Sequence, residues 1–159
     1  MAKKLYKRQS NKTVDIKKSA ATAIYISTVK EDNEELGFDV QHDRLKAYCM
    51  AQGWSIDSRH VYIDKSFIDR FEFQRMMKAS ELGLIERIVS IQLDRIAHGV
   101  LDFLGIVDEL DKANVDLVLV KESIDSGSPQ GRFILTAFAA IAELESKLSR
   151  NYLYAKTLC

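Results

Sequence analysis

Two arginines stand out in this sequence because each follows a short apolar run that has the composition of a buried β-strand. Arg70 and Arg95, together with His98, could form a cationic cluster suited to a phosphate group, with Asp94 orienting one guanidinium. For any one of these residues, a surface salt bridge is the common alternative. Their joint placement after successive strands is what favours a phosphate site.

The elements that would position this cluster alternate between strands and helices, which is typical of an α/β fold. An open α/β sheet places its site in the loops after the strands, so the cluster falls where a site is expected. We predict strands at residues 23–29, 60–64, 87–93 and 115–121, and helices at 40–51, 71–82 and 100–112.

A long helix is predicted after Gly127, where Ser128 can act as the N-cap and Pro129 fits the first turn. Its apolar residues surround the whole helix, so one sheet face cannot bury them all. A central core helix in a monomer is one explanation. We expect instead that residues 128–148 mediate self-association, because a four-stranded domain rarely encloses a C-terminal helix on all sides.

Composition narrows the class of protein. The 159 residues are 47% hydrophobic and 29% charged, which excludes a disordered, collagen-like or disulfide-scaffold chain. No apolar run approaches the ~18 residues of a membrane span, and no signal peptide is recognisable, so we expect a cytoplasmic protein. Cys49 and Cys159 are expected to be free thiols, and His42 and His60 to be surface or packing residues. We predict no metal or other cofactor.

The net charge of zero is unevenly distributed. Residues 1–20 carry seven basic side chains against Asp15 alone, a balance of +6, which leaves −6 for the remainder. Such a basic arm could contact a nucleic-acid backbone, or it could be a solvated tail.

Residues 23–148 resemble the catalytic domain of the serine site-specific recombinases, the resolvase and invertase family. The strongest match is the segment 122–145, which is similar to the family's entry into its long dimer helix. Three shorter segments also match. They are Leu93-Asp94-Arg95, the 39–48 stretch with its Arg44-Leu45 pair, and Arg70, which falls where the family has the arginine of an Arg-Pro pair.

The resemblance implies a three-layer α/β domain with a mainly parallel sheet of four to five strands and a long C-terminal dimerisation helix. It also implies that a serine at the end of the first strand attacks a DNA phosphodiester, giving a 5′-phosphoserine and a free 3′-hydroxyl while arginines stabilise the charge. No metal or nucleotide cofactor takes part in that reaction. A separate DNA-binding domain normally follows in the family.

The sequence departs from the family pattern at the reactive positions. An ungapped alignment puts Ser27 at the family's first arginine and Val29 at its nucleophile, and valine has no lone pair to attack phosphorus. In that alignment His98 replaces the second arginine of the Leu-Asp-Arg-x-x-Arg motif, and Phe71 the proline. A gapped alignment makes Ser27 the nucleophile but still loses the first arginine. We favour the ungapped alignment.

Two hypotheses follow. The first is a DNA recombinase, impaired or inactive, with Ser27 as candidate nucleophile, Arg70 and Arg95 as phosphate ligands and Asp94 beside them. The second is a non-enzymatic, dimerising, DNA-associated regulator that pairs with an intact recombinase. In both, residues 1–20 form a basic arm, 21–126 the catalytic body and 127–156 the long helix, where Lys147 and Arg150 could offer weak contacts to DNA.

Overall fold

The computed structural model describes residues 20–28, 37–66 and 68–157. The basic side chains of the N-terminal arm, Val29 and Cys159 lie outside these residues. The elements are β1 (Ala21–Ser27), α1 (Phe38–Ala51), β2 (Ile56–Asp64), α2 (Phe71–Glu81), β3 (Ile85–Ser90), α3 (Val100–Lys112), β4 (Asp116–Leu119), β5 (Ile124–Asp125) and α4 (Pro129–Thr157), with a 3₁₀ turn at Leu93–Arg95.

The sheet has the strand order β2-β1-β3-β4-β5 and is parallel except for the antiparallel pair of β4 and β5. The chain runs from β1 to one neighbour, β2, and then crosses to its other neighbour, β3. The carboxyl ends of β1 and β3 therefore form a topological switch point, where open α/β sheets bind ligands. The predicted fold class is confirmed.

The two sheet faces bury different helices. The side chains of Ile24 and Ile26 pack with Leu45 and Cys49 of α1 on one face. Ala23 and Tyr25, which alternate with them along β1, face the opposite core, which α2, α3 and the first half of α4 complete. Three layers result, with α1 alone on one side.

The last helix begins as the sequence predicts. The hydroxyl of Ser128 accepts a hydrogen bond from the N–H of Gly131 at 2.9 Å, so Ser128 is the N-cap. Gly131 packs so closely on the carbonyl oxygen of Asp125 that an added Cβ would lie 1.7 Å from it. Glycine is therefore required for α4 to start against β5.

Only one side of α4 is buried by its own domain. Leu135, Ala139 and Ala142 face the core, whereas the exposed large apolar residues of the helix are Phe133, Ile141, Leu144, Leu148, Tyr152, Leu153 and Tyr154. From residue 143 onward every described residue of the helix is exposed. The domain does not enclose this helix, and the expected partner stays a prediction.

Several boundaries differ from the sequence-based ones. Helix α1 starts two residues earlier than predicted and β2 starts at Ile56. The third strand ends at Ser90 rather than at residue 93, because the Leu93 N–H donates to Oε1 of Glu122 at 3.0 Å and the chain turns there. The two-residue strand β5 was not predicted as a strand. Among the described helices, none is long and apolar enough to cross a membrane.

Candidate functional site

The candidate site lies at the carboxyl edge of the sheet, where β1 ends at Ser27, β2 ends at Asp64 and β3 leads into the turn that carries Arg95. Because β1, β2 and β3 are parallel, their carboxyl ends meet at one edge. Arg70 stands at the start of α2, six residues after β2. Side chains from three separate connections are thus assembled here.

Ser27 lies beneath the surface of this site. Its residue is 0% exposed, and its hydroxyl makes no hydrogen bond with any residue that the structure describes. Its carbonyl oxygen accepts hydrogen bonds from Nε2 of Gln41 at 3.1 Å and from Nη1 of Arg95 at 3.4 Å. Ser27 therefore holds its neighbours through its backbone, and its hydroxyl has no open path to a large substrate in this conformation.

Arg95 is a buried cation at the carboxyl end of the sheet, with only 4% of its surface exposed. Its Nε lies 3.5 Å from Oδ1 of Asp94, whose own side chain is largely exposed. The contact expected between these two residues is present. The carboxylate limits the cost of burying the guanidinium charge.

Arg70 approaches the same turn from the other direction. Its Nη2 donates a hydrogen bond to the carbonyl of Ile96, the residue after Arg95, at 2.5 Å. Its guanidinium carbon lies 3.8 Å from the ring centre of Phe73 and 5.9 Å from that of Tyr25. Close contact with the face of the Phe73 ring orients the guanidinium. The structure therefore brings Arg70 and Arg95 together around one short turn.

Asp64 ties the sheet to the start of α2. Its carboxylate accepts hydrogen bonds from the hydroxyl of Tyr25 at 2.9 Å and from the N–H groups of Glu72 and Phe73 at 3.0 and 2.9 Å. Two unpaired donors of the first helical turn are thereby satisfied by a side chain seven residues before the helix. Burial raises the pKa of the Tyr25 phenol well above its ordinary value, and the neighbouring Asp64 carboxylate acts in the same direction.

The comparisons with known proteins identify the family. The family described as Resolvase, N terminal domain matches residues 22–156. The chain belongs to this family. The N-terminal catalytic domain of TP901-1 integrase shares 32% identity and a TM-score of 0.73, over 81% of this chain and 98% of that domain.

Two curated relatives match over shorter segments. Probable DNA-invertase y4cG of Sinorhizobium fredii is 32% identical over 43% of this chain and 22% of its own length. Serine recombinase gin of Escherichia phage Mu is 31% identical over 50% of this chain and 40% of its own length. The chain thus matches less than half the length of these relatives. The predicted resemblance to the serine recombinases is confirmed.

Within this resolvase-type domain, some predicted site residues lie apart from the arginine pair. His98 is exposed, and its backbone N–H donates to Oδ2 of Asp102 at 2.8 Å. Lys147 and Arg150 are exposed on the second half of α4, and Lys147 pairs with Glu143 at 3.4 Å. Val29, which the ungapped alignment puts at the family's nucleophile, lies outside the described residues.

Three residues that the sequence did not single out as site residues contribute to the resolvase-type site: Gln41, Asp64 and Glu122. Gln41 is buried and contacts the Ser27 carbonyl, and Glu122 accepts the N–H of Leu93 at the start of the arginine-bearing turn. For Asp64 a signal existed, since a carboxylate ends β2 and the N-cap position of α2 is Arg70, whose side chain cannot accept a hydrogen bond. Gln41 gave no such signal, because its contact is with a backbone carbonyl.

The part of the chain that the structure describes contains no group of three or more His, Cys, Asp or Glu side chains placed to hold a metal ion. The positively charged groups of the site are the two guanidiniums. A guanidinium group suits an anion with several oxygens, as a phosphate diester has.

Proposed function

We propose that this chain is a serine recombinase catalytic domain that acts in site-specific DNA recombination and holds a DNA phosphate between Arg70 and Arg95. The breakage and rejoining of strands through a phosphoserine link is impaired, because the position of the nucleophile is taken by Val29. One observation supports the proposal: the guanidinium of Arg70 bonds the carbonyl of Ile96, next to Arg95 in the turn after β3, while Arg95 and the serine of β1 are both buried and are joined through the Ser27 carbonyl.

The chemistry explains why this arrangement separates binding from cleavage. A serine oxygen must reach phosphorus, form the P–O bond and lose its proton as the 3′-oxygen leaves. The hydroxyl of Ser27 is enclosed, so it does not reach a phosphate at the half-buried Arg70, whose positive charge the buried Arg95 reinforces from inside the domain. Losing one oriented donor to the developing charge also costs on the order of 10²–10³ in rate. Phosphate binding needs only the cations.

The first test looks for the covalent link. The full chain is incubated with supercoiled DNA carrying a candidate recombination site and then quenched in denaturant, and protein-bound DNA is detected before and after protease treatment. We expect no adduct above that of a Ser27→Ala variant. Ser90→Ala, which alters a buried serine at the end of the neighbouring strand, is the matched control. An adduct that Ser27→Ala abolishes and Ser90→Ala retains would show that Ser27 is the active nucleophile.

The second test measures DNA binding. Replacing Arg70 by glutamine should weaken binding to duplex DNA and lower the slope of log K against log salt by about 1. Arg75→Gln is the matched control, since Arg75 is exposed on α2 and pairs with Glu72 at 3.0 Å. Equal salt slopes for both variants would show that Arg70 does not bind a DNA phosphate.

A second function is favoured by the exposed apolar side of α4, which includes Phe133, Ile141 and Leu144. In this version the chain forms a homodimer through residues 128–148, or pairs with an intact recombinase and inhibits it. Lys147 and Arg150 would then lie near the DNA backbone. Such a protein works beside DNA, in the cytoplasm.

Sedimentation of the full chain tests this second function. We expect a concentration-dependent dimer that the double replacement Ile141→Ser and Leu144→Ser dissociates, while Met50→Ser, at an exposed apolar residue of α1, leaves it intact. A strict monomer at high concentration would exclude the homodimer. Inhibition of an added recombinase would then be measured separately.

A further inference from the structure

A second concave surface lies close to the arginine pair, between α1 and the carboxyl ends of β3 and β4. This groove has a volume of about 640 Å³. Its floor is formed by residues that follow the strands, and its wall by one side of α1. The lining residues are Arg44, Ala47, Tyr48, Ile91, Gln92, Val120 and Lys121. It adjoins the turn that carries Arg95, because the Arg95 N–H donates to the Gln92 carbonyl at 3.1 Å.

Two exposed cations border this groove from different elements, Arg44 from α1 and Lys121 from the segment after β4. Most other basic side chains in the described body pair with a carboxylate, as Arg59, Arg75, Lys78 and Lys112 do. Arg44 and Lys121 form no ion pair with a described residue. Their positive charge is therefore available to an anion in the groove.

The floor of the groove carries a buried amide that needs a partner. Gln92 is 5% exposed, and its Oε1 makes no hydrogen bond within residues 20–28, 37–66 and 68–157. Buried polar atoms of native proteins are nearly always paired, so an unpaired one next to a cavity indicates a ligand or water. The carboxamide accepts through oxygen and donates through nitrogen, which suits the edge of a nucleobase.

The wall of the groove offers a planar surface. Tyr48 is half-buried, and its ring is held edge to face against Trp54 at a centroid distance of 5.9 Å. Ala47, Ile91 and Val120 provide apolar surface around it. Aromatic rings beside cations are the usual means by which proteins hold single nucleotides of a strand.

We propose that this groove binds one nucleotide, with the phosphate between Arg44 and Lys121 and the base on Tyr48, where a base N–H donates to Oε1 of Gln92. The nucleotide belongs to a DNA strand whose neighbouring phosphate is held by Arg70 and Arg95. In this form the inference rests on the proposed function. A free mononucleotide has the same chemistry, and the experiment separates the two sources.

The experiment measures binding of three probes to the full chain: a fluorescent oligonucleotide of twelve thymidines, thymidine 5′-monophosphate and inorganic phosphate. Arg44→Gln and Lys121→Gln should each weaken oligonucleotide binding about tenfold, the loss expected of one charge-assisted hydrogen bond. Each should lower the salt slope by about 0.7. Lys46→Gln, on an exposed position of α1 outside the groove, is the matched control and should bind as the unaltered chain does.

Gln92→Met tests the base contact, because methionine has a similar shape but no amide. The variant should weaken binding of the oligonucleotide and leave binding of inorganic phosphate unchanged. If the amide is purely structural, the binding of both probes should be unchanged. Thermal unfolding of each variant confirms that it is folded. If Arg44→Gln, Lys121→Gln and Lys46→Gln bind every probe equally well, the proposal that the groove binds a nucleotide is overturned.

The same set of variants separates this inference from the proposed function. If Arg70→Gln weakens oligonucleotide binding and Arg44→Gln does not, the proposed phosphate site is supported and the proposal that the groove binds a nucleotide is wrong. If only thymidine monophosphate responds to Arg44→Gln and Gln92→Met, the groove binds a free nucleotide. In that case DNA binding by Arg70 is judged on its own salt slope.

Discussion

Asp64 is the residue whose loss should most disturb the arrangement of the site. It is 4% exposed and accepts three hydrogen bonds, from the Tyr25 hydroxyl and from the N–H groups of Glu72 and Phe73. Replacing it by alanine removes a side chain that joins β1, β2 and the start of α2. We expect the free energy of unfolding to fall by about 2–4 kcal/mol.

The magnitude follows from what each partner loses. The two N–H groups belong to the first turn of α2, where removing a capping side chain costs about 1 kcal/mol because water can replace part of it. The Tyr25 hydroxyl lies in a fully buried residue, and an unpaired buried donor costs about 1–3 kcal/mol. The apolar methyl of alanine recovers little of this, since the cavity it leaves is lined by polar groups.

Urea unfolding followed by circular dichroism measures the change. Asp69→Ala is the matched control, because Asp69 is an exposed carboxylate in the same loop, and it should stay within about 0.5 kcal/mol of the unaltered chain. Asp64→Ala should also weaken DNA binding, since Arg70 would lose the fixed start of α2 beside it. An Asp64→Ala variant as stable as Asp69→Ala would refute the reasoning that Asp64 joins helix and sheet.

Three further outcomes are expected. Leu135→Ala should cost about 2–5 kcal/mol, whereas Phe133→Ala, at a residue 75% exposed, should stay within about 0.5 kcal/mol when urea unfolding is measured at monomer concentrations. A double-mutant cycle of Asp111→Asn and Arg132→Gln should give a coupling of about 1–3 kcal/mol, because both oxygens of Asp111 lie 2.6 Å from the guanidinium; additivity would contradict that pairing. Because burial raises the pKa of Tyr25 above its ordinary 10.0, its stabilisation is complete below pH 10 and is lost as the pH rises further. Above pH 10 the unaltered chain should therefore lose up to about 1.4 kcal/mol per pH unit relative to Tyr25→Phe, and parallel pH profiles would contradict this.

The sequence predicted most of the fold where one periodicity ran through a whole element. Helix α3 was predicted with its observed bounds, since Leu104, Val107 and Leu110 repeat on one face. The end of β3 was misplaced because Leu93 continues the apolar run after the backbone has turned. Strand β5 has two residues, too few for any period to show.

Only part of the site could be predicted from the sequence. Arg70 and Arg95 were found because strand ends and charge are visible in a sequence. The contacts that hold them are made to the carbonyl groups of Ile96 and Ser27, and any residue type supplies a carbonyl. Gln41 was not predicted for the same reason, although its side chain donates a hydrogen bond to the Ser27 carbonyl.

These backbone contacts bear on the proposal that the domain binds a phosphate without an active nucleophile. Arg95 is held by the Ser27 carbonyl, which remains when the side chain is changed, and Arg70 is held by the Ile96 carbonyl and the Phe73 ring. The cation positions therefore depend on the path of the chain and not on the hydroxyl. Ser27→Ala should bind DNA as tightly as the unaltered chain, whereas Arg95→Gln should weaken it, and the reverse order would mean that the serine itself organises the site.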